Sequence, residues 1–292
     1  MANTKTIRNK ILSIKNTQKI TKTMEMVSIS KMKKVTKKLL ISAPYLEHLK
    51  KIISHFLQGK LSYKHYFLQK KMIAKKIAII IISSSRGLCG NLNYNVFKKV
   101  NYFIKKNQDK NIICDLYIVG MKGILFFKNN RYVNIKKTIN FTDNITYKMV
   151  SPLITELVQE YQKDNFDKLF IAGNKYNTKN EKTSYLSQLL PLKSIFFRDS
   201  GYTKYTTWDY LYEPNSILVL DYTFQKYILF QVLQLILENM VCEQSLRRLI
   251  MKTATDNSEN IIQELQLLYN KIRQYSITQE IMEIISGASS MN

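Results

Sequence analysis

The chain has 292 residues, of which 45% are apolar, and 45 lysines and arginines against 21 acidic residues give it a formal net charge of +24. This length and apolar content are sufficient to bury a sizeable core, which excludes an intrinsically disordered protein. The longest purely apolar run, Ile77–Ile82, is far shorter than the roughly 20 residues of a membrane-spanning helix, so we expect a protein that is soluble or peripheral to a membrane.

A long basic helix is predicted for residues 1–58. Residues 1–60 contain 14 basic and two acidic side chains, whereas residues 215–292 contain six basic and eight acidic ones. Apolar residues recur in alternating steps of four and three, the period of a stripe along one helix face. They are Ile7, Ile11, Ile14, Met32, Val35, Leu39, Leu46, Leu49, Ile53 and Phe56.

The stripe is interrupted in its first half. Polar side chains occupy the expected apolar positions at Gln18, Thr21, Glu25 and Ser28, while Ile20, Met24 and Val27 offer a displaced apolar stripe over the same turns. We therefore expect the apolar face to rotate around the helix here. Pro44 removes a backbone hydrogen bond and predicts a kink, because the stripe resumes in phase at Leu46.

Residues 59–214 differ in composition from the two predicted helices, because they contain seven of the eight glycines and three of the four prolines. Lys75–Ser85, Ile112–Val119, Arg131–Ile135 and Leu169–Ala172 are predicted to contain strands. Helical patterns lie around Val96–Ile104 and Gly123–Phe127, and Ser151 and Pro152 predict the cap and first turn of another helix. Alternating strands and helices indicate a single α/β domain with right-handed crossovers.

A second long helix is predicted for residues 215–292, which contain no proline and a single glycine. Ile261, Leu265, Leu268, Ile272 and Tyr275 follow the same steps of four and three. A fully helical segment would be roughly 117 Å long at about 1.5 Å per residue, so most of it must find a partner outside a small domain. Its complementary charge makes the basic first helix the expected partner, in an antiparallel coiled coil.

The central domain contains one loop of chemical interest, Ser83–Asn91, directly after the first predicted strand. It lacks the spacing of a dinucleotide-binding loop or a P-loop, so Gly87 and Gly90 are interpreted as residues of a tight turn. The cysteines Cys89, Cys114 and Cys242 lack a CxxC spacing, which indicates neither a disulfide framework nor a zinc site and fits a reducing cytoplasm.

Other potential reactive residues also have structural interpretations. We expect His48, His55 and His65 to be solvated residues near the first helix, and Trp208 to pack where the domain meets the last helix. No histidine follows His65 in the predicted α/β domain to activate Cys89 as a nucleophile. The sequence thus predicts no catalytic site, no metal site and no cofactor.

Five motifs carry a family resemblance. They are TIRNKILSIKNTQKITKTMEMVSISKMKKV at 6–35, SRGLCGNLN at 85–93, WDYLYEP at 208–214, MKTATDN at 251–257 and ELQLLYNKIRQYSITQEIMEIISGA at 264–288. In collinear order over essentially the whole chain, they resemble the gamma subunits of bacterial F-type ATP synthases. The chain departs from the family pattern at Ser85, which is usually acidic, and at Asn91, which is usually glycine.

The resemblance implies a Rossmann-like α/β domain (residues 59–214) between two helices (residues 1–58 and 215–292) that form a long antiparallel coiled coil. It implies a non-catalytic central stalk that rotates inside a ring of three alpha and three beta subunits, couples transmembrane proton flow to ATP synthesis and hydrolysis, and regulates ATPase activity. The epsilon subunit and the membrane c-ring are the other implied partners. The implied location is peripheral, at the cytoplasmic face of the bacterial inner membrane.

The resemblance also implies which residues contact the ring. Met24 and the basic residues Lys31, Lys33 and Lys34 are expected to face acidic loops of the beta subunits. Arg248, Gln274, Thr278 and Glu280 match family positions that contact the ring farther along the last helix.

Two alternatives follow from the residues alone, a purely structural scaffold and a coiled-coil protein whose basic helix follows nucleic-acid phosphates. The nucleic-acid alternative requires arginine-rich or aromatic-interleaved patches. Arg8 is the single arginine among the first 60 residues, which disfavours that alternative.

Overall fold

The computed structural model describes residues 2–58, 65–69, 74–130, 133–141, 145–176, 182–192, 213 and 215–289. The chain forms two compact units. Residues 1–30 and 247–292 make up the first unit, and residues 31–246 make up the second. Within the described residues, no helix combines the length and the apolar character needed to cross a membrane.

The described elements alternate between strands and helices in the middle of the chain and are long helices at its two ends. In chain order they are α1 (Ala2–Gln58), a 3-10 turn (Tyr66–Leu68), β1 (Lys76–Ile82), α2 (Leu92–Gln108), β2 (Ile113–Val119), α3 (Met121–Phe127), β3 (Asn134–Ile139), α4 (Tyr147–Gln162), β4 (Lys168–Tyr176), β5 (Lys182–Leu190) and α5 (Ser216–Ser289).

The larger unit is built on a five-stranded sheet with the order β3-β2-β1-β4-β5. The strands β1 to β4 are parallel, and β5 pairs antiparallel with β4 at the edge. The isoleucines of β1 are buried because helices cover both faces of this central strand. The predicted Rossmann-like α/β fold is confirmed.

Two apolar layers enclose the sheet. One face packs against α2 and α3 through residues such as Val96, Phe97 and Phe127. The other packs against α4 and against the parts of α1 and α5 that belong to this unit, through Ile53, Leu157 and Phe224. The helices at the chain ends therefore supply, together with α4, the core on one face of the sheet.

Several predicted boundaries need correction. The strand β3 lies a few residues later than predicted, and the sequence analysis did not identify β5, whose partly buried edge position leaves no clear alternation. The helix α4 begins at Tyr147, so Ser151 is not its cap. The buried side chain of Val150 extends the apolar face of α4 ahead of Pro152. Trp208 lies outside the described residues.

The helix α1 continues through Pro44, which is exposed, and the kink predicted there stays a prediction. The displaced stripe predicted earlier in this helix is wrong. Thr21 and Ser28 are buried, whereas Ile20 and Val27 are more than half exposed. The buried positions of α1 keep the original steps of four and three, although polar residues occupy some of them. The buried face therefore does not rotate around the helix.

In the smaller unit, α1 and α5 pair in antiparallel directions. Thr21 contacts Thr255, whereas Ile7 and Ile11, nearer the start of the chain, cluster with Ile262 and residues beyond it. The inward positions of α5 keep strict steps of four and three, and they are Met251, Thr255, Ser258, Ile262, Leu265, Tyr269, Ile272 and Ser276.

These inward positions differ from the predicted apolar stripe of α5. Leu265 and Ile272 face inward as predicted, but Ile261, Leu268 and Tyr275 are between 44% and 71% exposed. The inward positions are held instead by the residues one position later in the chain, Ile262, Tyr269 and Ser276. The prediction failed because α5 is apolar on more than one face, so periodicity alone admits either phase.

The interpretation of His65 as a solvated residue is also wrong. Its side chain is buried, its Nδ1 atom accepts a hydrogen bond from the Phe67 backbone N–H at 3.2 Å, and its Nε2 atom is hydrogen-bonded to Asp221. Burial lowers the pKa of His65, although Asp221 opposes this shift. His65 therefore helps to fix the segment that precedes the sheet.

The chain at Gly120, directly after β2, lies very close to the end of β1. Its φ angle is +98°, and a Cβ atom at this position would lie 2.2 Å from the Ser83 carbonyl oxygen. We expect Gly120→Ala to lower the free energy of unfolding by about 2 kcal/mol or more, because the backbone must shift.

Gly287→Ala is the matched control, since a Cβ atom there would meet no other atom within 4 Å. We expect this variant to be neutral or slightly stabilising, because alanine favours a helix over glycine. Urea unfolding of both variants checks the prediction. Equal stability of the two variants would contradict the described contact at Gly120.

Candidate functional site

The buried seam of the smaller unit has an apolar part and a polar part. The apolar part is centred on Ile7, Ile11 and Ile262. The polar part, here called the polar layer, consists of the buried or partly buried hydroxyl side chains of Thr21, Ser28, Thr255 and Ser258. Such a layer stabilises a coiled coil less than leucines would, but it specifies the register of the two helices.

The hydrogen bonds of the polar layer are mostly local. The Oγ1 atoms of Thr21 and Thr255 are 2.8 Å apart and form the described bond between the two helices. Ser28 and Ser258 each donate to a carbonyl oxygen four residues earlier, at 2.8 and 2.7 Å. The buried hydroxyl groups are therefore satisfied, and the Thr21–Thr255 pair fixes which residues face each other.

The outer surface of the smaller unit carries many exposed apolar side chains. On α1 they include Leu12, Ile20, Met26 and Val27, each more than half exposed. On α5 they are Leu249, Ile261, Leu267, Leu268, Tyr275, Ile277, Ile281, Met282, Ile284 and Ile285. Apolar surface of this extent marks an interaction site.

The last turns of α5 extend past their described partner. From Ile277 to Gly287 every residue is exposed, whereas Ser276 is still partly buried. The described residues of α1 begin opposite the preceding turns, and none of them covers these side chains.

Four predicted contact residues lie on exposed positions of α5: Arg248, Gln274, Thr278 and Glu280. The hydroxyl group of Thr278 donates to the Gln274 carbonyl oxygen at 2.9 Å. Gln274 and Thr278 thus share one turn, and the Thr278 oxygen keeps its lone pairs for an external donor. Met24, on α1 in the same unit, is partly buried.

The predicted basic residues lie on α1 within the larger unit. Lys33 and Lys34 are exposed, and Lys31 is partly buried. Lys31 and Lys34 are three residues apart and therefore neighbours on the helix surface. The exposed ammonium groups of Lys33 and Lys34 are suited to contact an acidic surface.

The loop after β1 belongs to the larger unit and borders a cavity of about 490 Å³ at the carboxyl ends of β1 and β2. Ligands of α/β proteins often bind at this edge of the sheet. Here the Ser84 backbone N–H donates to Asn93 Oδ1 at 3.0 Å, and Ser85 Oγ donates to Asn140 Oδ1 at 2.5 Å. These groups hold the loop in place, which supports its interpretation as a turn.

The departures from the family pattern have local explanations. Positive φ angles occur at Leu88 and Gly90 but not at Asn91, whose φ is −83°, so glycine is not required there. Gly87 also lacks a positive φ, so of the two predicted turn glycines Gly90 alone needs this conformation. Ser85 uses its hydroxyl group to bond Asn140, which an acidic residue could not do as a donor.

The cysteines show no reactive environment. Cys89 is buried beside Ser84, and its sulfur lies 3.5 Å from the Asn93 side-chain nitrogen. Burial raises the pKa of the Cys114 thiol to about 11. No group of three potential metal-binding side chains is present among the described residues.

Sequence reasoning missed Thr255 and Ser258 as parts of the seam, together with the exposed positions Leu12 and Leu267. One signal was available. If Thr21 and Ser28 are kept in the four-three pattern of α1, α5 can be searched for hydroxyl residues that fit a four-three pattern with its apolar residues. Thr255 and Ser258 fit such a pattern with Ile262. That search would also have identified the correct phase of the α5 stripe.

The chain matches known proteins over essentially its whole length. A family model described as ATP synthase matches residues 3–291. A protein of Buchnera aphidicola subsp. Schizaphis graminum named ATP synthase gamma chain is 46% identical over all of this chain and 99% of its own length. Another protein of that name, from Buchnera aphidicola subsp. Acyrthosiphon pisum, is 45% identical with the same coverage.

Solved structures share the fold. A chain of the Euglena gracilis mitochondrial ATP synthase matches with a TM-score of 0.65 at 19% identity, over 99% of this chain and 95% of that one. A chain of the central stalk and c-ring of the Tetrahymena thermophila enzyme matches with a TM-score of 0.58 at 21% identity, over 81% and 99%. The chain described here belongs to the family of gamma subunits of F-type ATP synthases.

Proposed function

We propose that this chain is the non-catalytic central shaft of a bacterial F-type ATP synthase. It rotates within a ring of three alpha and three beta subunits, couples transmembrane proton flow to ATP synthesis and hydrolysis, and regulates ATPase activity. The observation that carries the proposal is the exposed apolar outer surface of a two-helix coil, in a chain nearly half identical to ATP synthase gamma chains over its whole length.

A rotating shaft needs contacts that hold it without locking it. Apolar contacts are non-directional, so exposed side chains such as Leu267, Ile277 and Ile284 can slide past a surrounding surface while they stay covered. Gln274, Thr278 and Glu280 add polar groups that can bond one partner at a time. This combination fits a bearing surface in the alpha–beta ring.

Coupling requires that the shaft contact three identical catalytic subunits differently. A pair of antiparallel helices has no threefold symmetry, so at each rotational position it presents a different surface to each beta subunit. A partner shifts a conformational equilibrium only through its differential contacts with the two states. Rotation of an asymmetric shaft therefore changes the nucleotide affinity of each subunit in turn.

Charge supplies the directional part of the contact. Lys31, Lys33 and Lys34 are proposed to face acidic loops of the beta subunits, together with Met24. Arg248 is exposed on α5 and is proposed to add a further cationic contact. Long-range attraction of this kind favours the correct orientation more than it adds stability.

The α/β domain is proposed to bind the epsilon subunit and the membrane c-ring, which places the protein peripherally at the cytoplasmic face of the inner membrane. The family-wide resemblance supports this assignment. The nucleic-acid alternative has no support among the relatives, and α1 has one arginine, Arg8, with which to track phosphates.

One prediction of the proposed function concerns the basic residues of α1. We expect simultaneous replacement of Lys31, Lys33 and Lys34 by glutamate to leave the thermal unfolding of the chain nearly unchanged, because surface charges contribute less than about 1 kcal/mol each. We expect the affinity for a purified alpha–beta complex to fall at least tenfold, about 1.4 kcal/mol. Titration of the complex with the variant, followed by ATPase activity, measures this loss.

A charge-matched control is available in the exposed residues Lys98, Lys105 and Lys128 of the α/β domain. Their replacement by glutamate changes the net charge equally and should leave binding to the alpha–beta complex intact. If both triple variants bind equally well, or lose affinity equally, then the three residues of α1 have no specific role in the contact.

Another prediction of the proposed function concerns the end of α5. We expect a chain that ends at Ser286 to behave like the full chain, because the deleted residues follow the exposed apolar turns. A chain that ends at Arg273 loses Gln274, Thr278, Glu280 and the apolar residues Ile277 to Ile285, but it keeps the seam up to Ile272. We expect it to fold and to lose most of its coupled activity.

Membrane vesicles that carry each truncated chain in the assembled complex provide the measurement, through ATP-driven proton pumping. Circular dichroism of the purified chains controls for folding. The bearing proposal fails if the two truncations reduce pumping equally, or if the chain that ends at Arg273 pumps normally.

A further inference from the structure

Within the larger unit, α5 has a stretch that is apolar on all sides. Leu235, Ile236 and Leu237 are consecutive, and none of them is more than 7% exposed. Consecutive residues of a helix point about 100° apart, so no single apolar stripe defines which side of this stretch lies toward the sheet. Apolar contacts are non-directional, so they alone would let the helix rotate about its axis with little change in buried apolar area.

A buried hydrogen bond joins α5 to the sheet at the carboxyl end of β4. The Asn174 side-chain nitrogen of β4 donates to Asn239 Oδ1 of α5 at 2.8 Å. Both side chains are only 2% exposed. Because a buried polar group is costly to leave unpaired, this bond favours the one rotational setting of α5 that brings the two amides together.

A second buried polar contact lies near the start of α5. Asp221 is hydrogen-bonded to Nε2 of His65, whose side chain is buried. The imidazole is also held from its other side, because its Nδ1 atom accepts from the Phe67 backbone N–H at 3.2 Å. The Phe67 carbonyl oxygen in turn accepts from the Leu192 backbone N–H at 2.7 Å, which ties this segment to the chain that follows β5.

The two contacts lie on the same side of α5. Asp221 and Asn239 are separated by about five complete turns and by roughly 27 Å along the helix axis, at about 3.6 residues per turn and 1.5 Å per residue. A helix held at two points on one side cannot rotate about its axis without breaking both contacts. Lys226 also bonds Tyr147 of α4, but from a different side of α5 and with both side chains partly exposed.

We propose that the pairs Asn174–Asn239 and His65–Asp221 are positioning residues that set the rotation of α5 about its own axis on the α/β domain. This role rests on the proposed rotor function, in which the domain and α5 must turn as one body. A helix free to rotate in its seat would absorb the turning of the domain instead of transmitting it. Buried polar residues have a comparable role in coiled coils, where they specify one arrangement at a cost in stability.

Replacement of both asparagines by leucine tests the first pair. Leucine has the same branching and number of heavy atoms as asparagine, so Asn174→Leu combined with Asn239→Leu removes the hydrogen bond and leaves no buried polar group unpaired. We expect a melting temperature that is unchanged or higher. We also expect the helix to occupy more than one rotational setting, since apolar contacts alone do not select one.

Pulsed electron paramagnetic resonance on the full chain measures that setting. Spin labels are attached to cysteines introduced at Ser245, on α5 beyond Asn239, and at the exposed Gln159 of α4, while the native cysteines are buried. We expect the distribution of label distances to become at least about twice as broad in the double-leucine variant. A distribution as narrow as that of the parent chain would overturn the proposal.

Thr223→Val is the matched control on the same helix. The hydroxyl group of Thr223 is buried, but it donates to the Val219 carbonyl oxygen of α5 itself at 2.7 Å. Its loss therefore removes no contact with the domain, and we expect the label distances of the parent chain.

The second pair provides a test that does not depend on the folding of the double-leucine variant. Asp221→Leu removes the acceptor of the His65 Nε2–H group, whereas Asp221→Asn keeps an acceptor oxygen. With the α5 label moved to the exposed Leu218, we expect Asp221→Leu to broaden the distances and Asp221→Asn to leave them narrow. Narrow distances in both variants would contradict a positioning role for this pair.

The functional readout is the number of protons pumped per ATP hydrolysed by membrane vesicles that carry the assembled complex. We expect the double-leucine variant to lower this ratio to about a third or less while it keeps ATP hydrolysis and its melting temperature, and Thr223→Val to keep the parent ratio. A normal ratio in a variant with broadened label distances would overturn the proposal. If the complex with the parent chain does not pump, the proposed rotor function fails instead, and the label distances still decide whether the two pairs set the helix.

Discussion

The pairing of α1 with α5 in the smaller unit is the interaction on which the proposed mechanism depends. Both helices present inward positions in strict steps of four and three, and the Thr21–Thr255 contact fixes which residues are opposite each other. Because the seam contains hydroxyl groups beside isoleucines, it specifies a register more than it maximises stability. A defined register gives the two-helix coil one fixed, asymmetric outer surface.

That outer surface explains why the coil requires an enclosing partner. A solvated coiled coil usually has polar outer positions, whereas Leu12, Leu267 and Ile284 are each more than half exposed. Apolar side chains in these positions would favour aggregation of an isolated chain. In the proposed ring they serve as contacts without a preferred direction, so one feature accounts for both the need for partners and the freedom to turn.

The sequence was sufficient for the central parallel strands β1, β2 and β4 and for most of α1, because a run of buried isoleucines and a sustained four-three pattern each permit one structure. It did not reveal the edge strand β5. The sequence was insufficient where the side-chain types did not show which residues are buried. Ile261 and Ile262 are equally apolar, so apolar periodicity does not distinguish them, whereas in the structure Ile262 is buried and in phase with Thr255, which contacts Thr21. The burial of His65 depends on Asp221, far away in the chain, and no local pattern indicates it.

The central claim is that this chain turns relative to the alpha–beta ring while ATP is hydrolysed. The most direct measurement attaches a visible probe to the α/β domain of the chain in a complex whose beta subunits are fixed to a surface. The account predicts unidirectional rotation that depends on ATP and pauses once for each beta subunit. Sustained ATP hydrolysis with a stationary probe would contradict it.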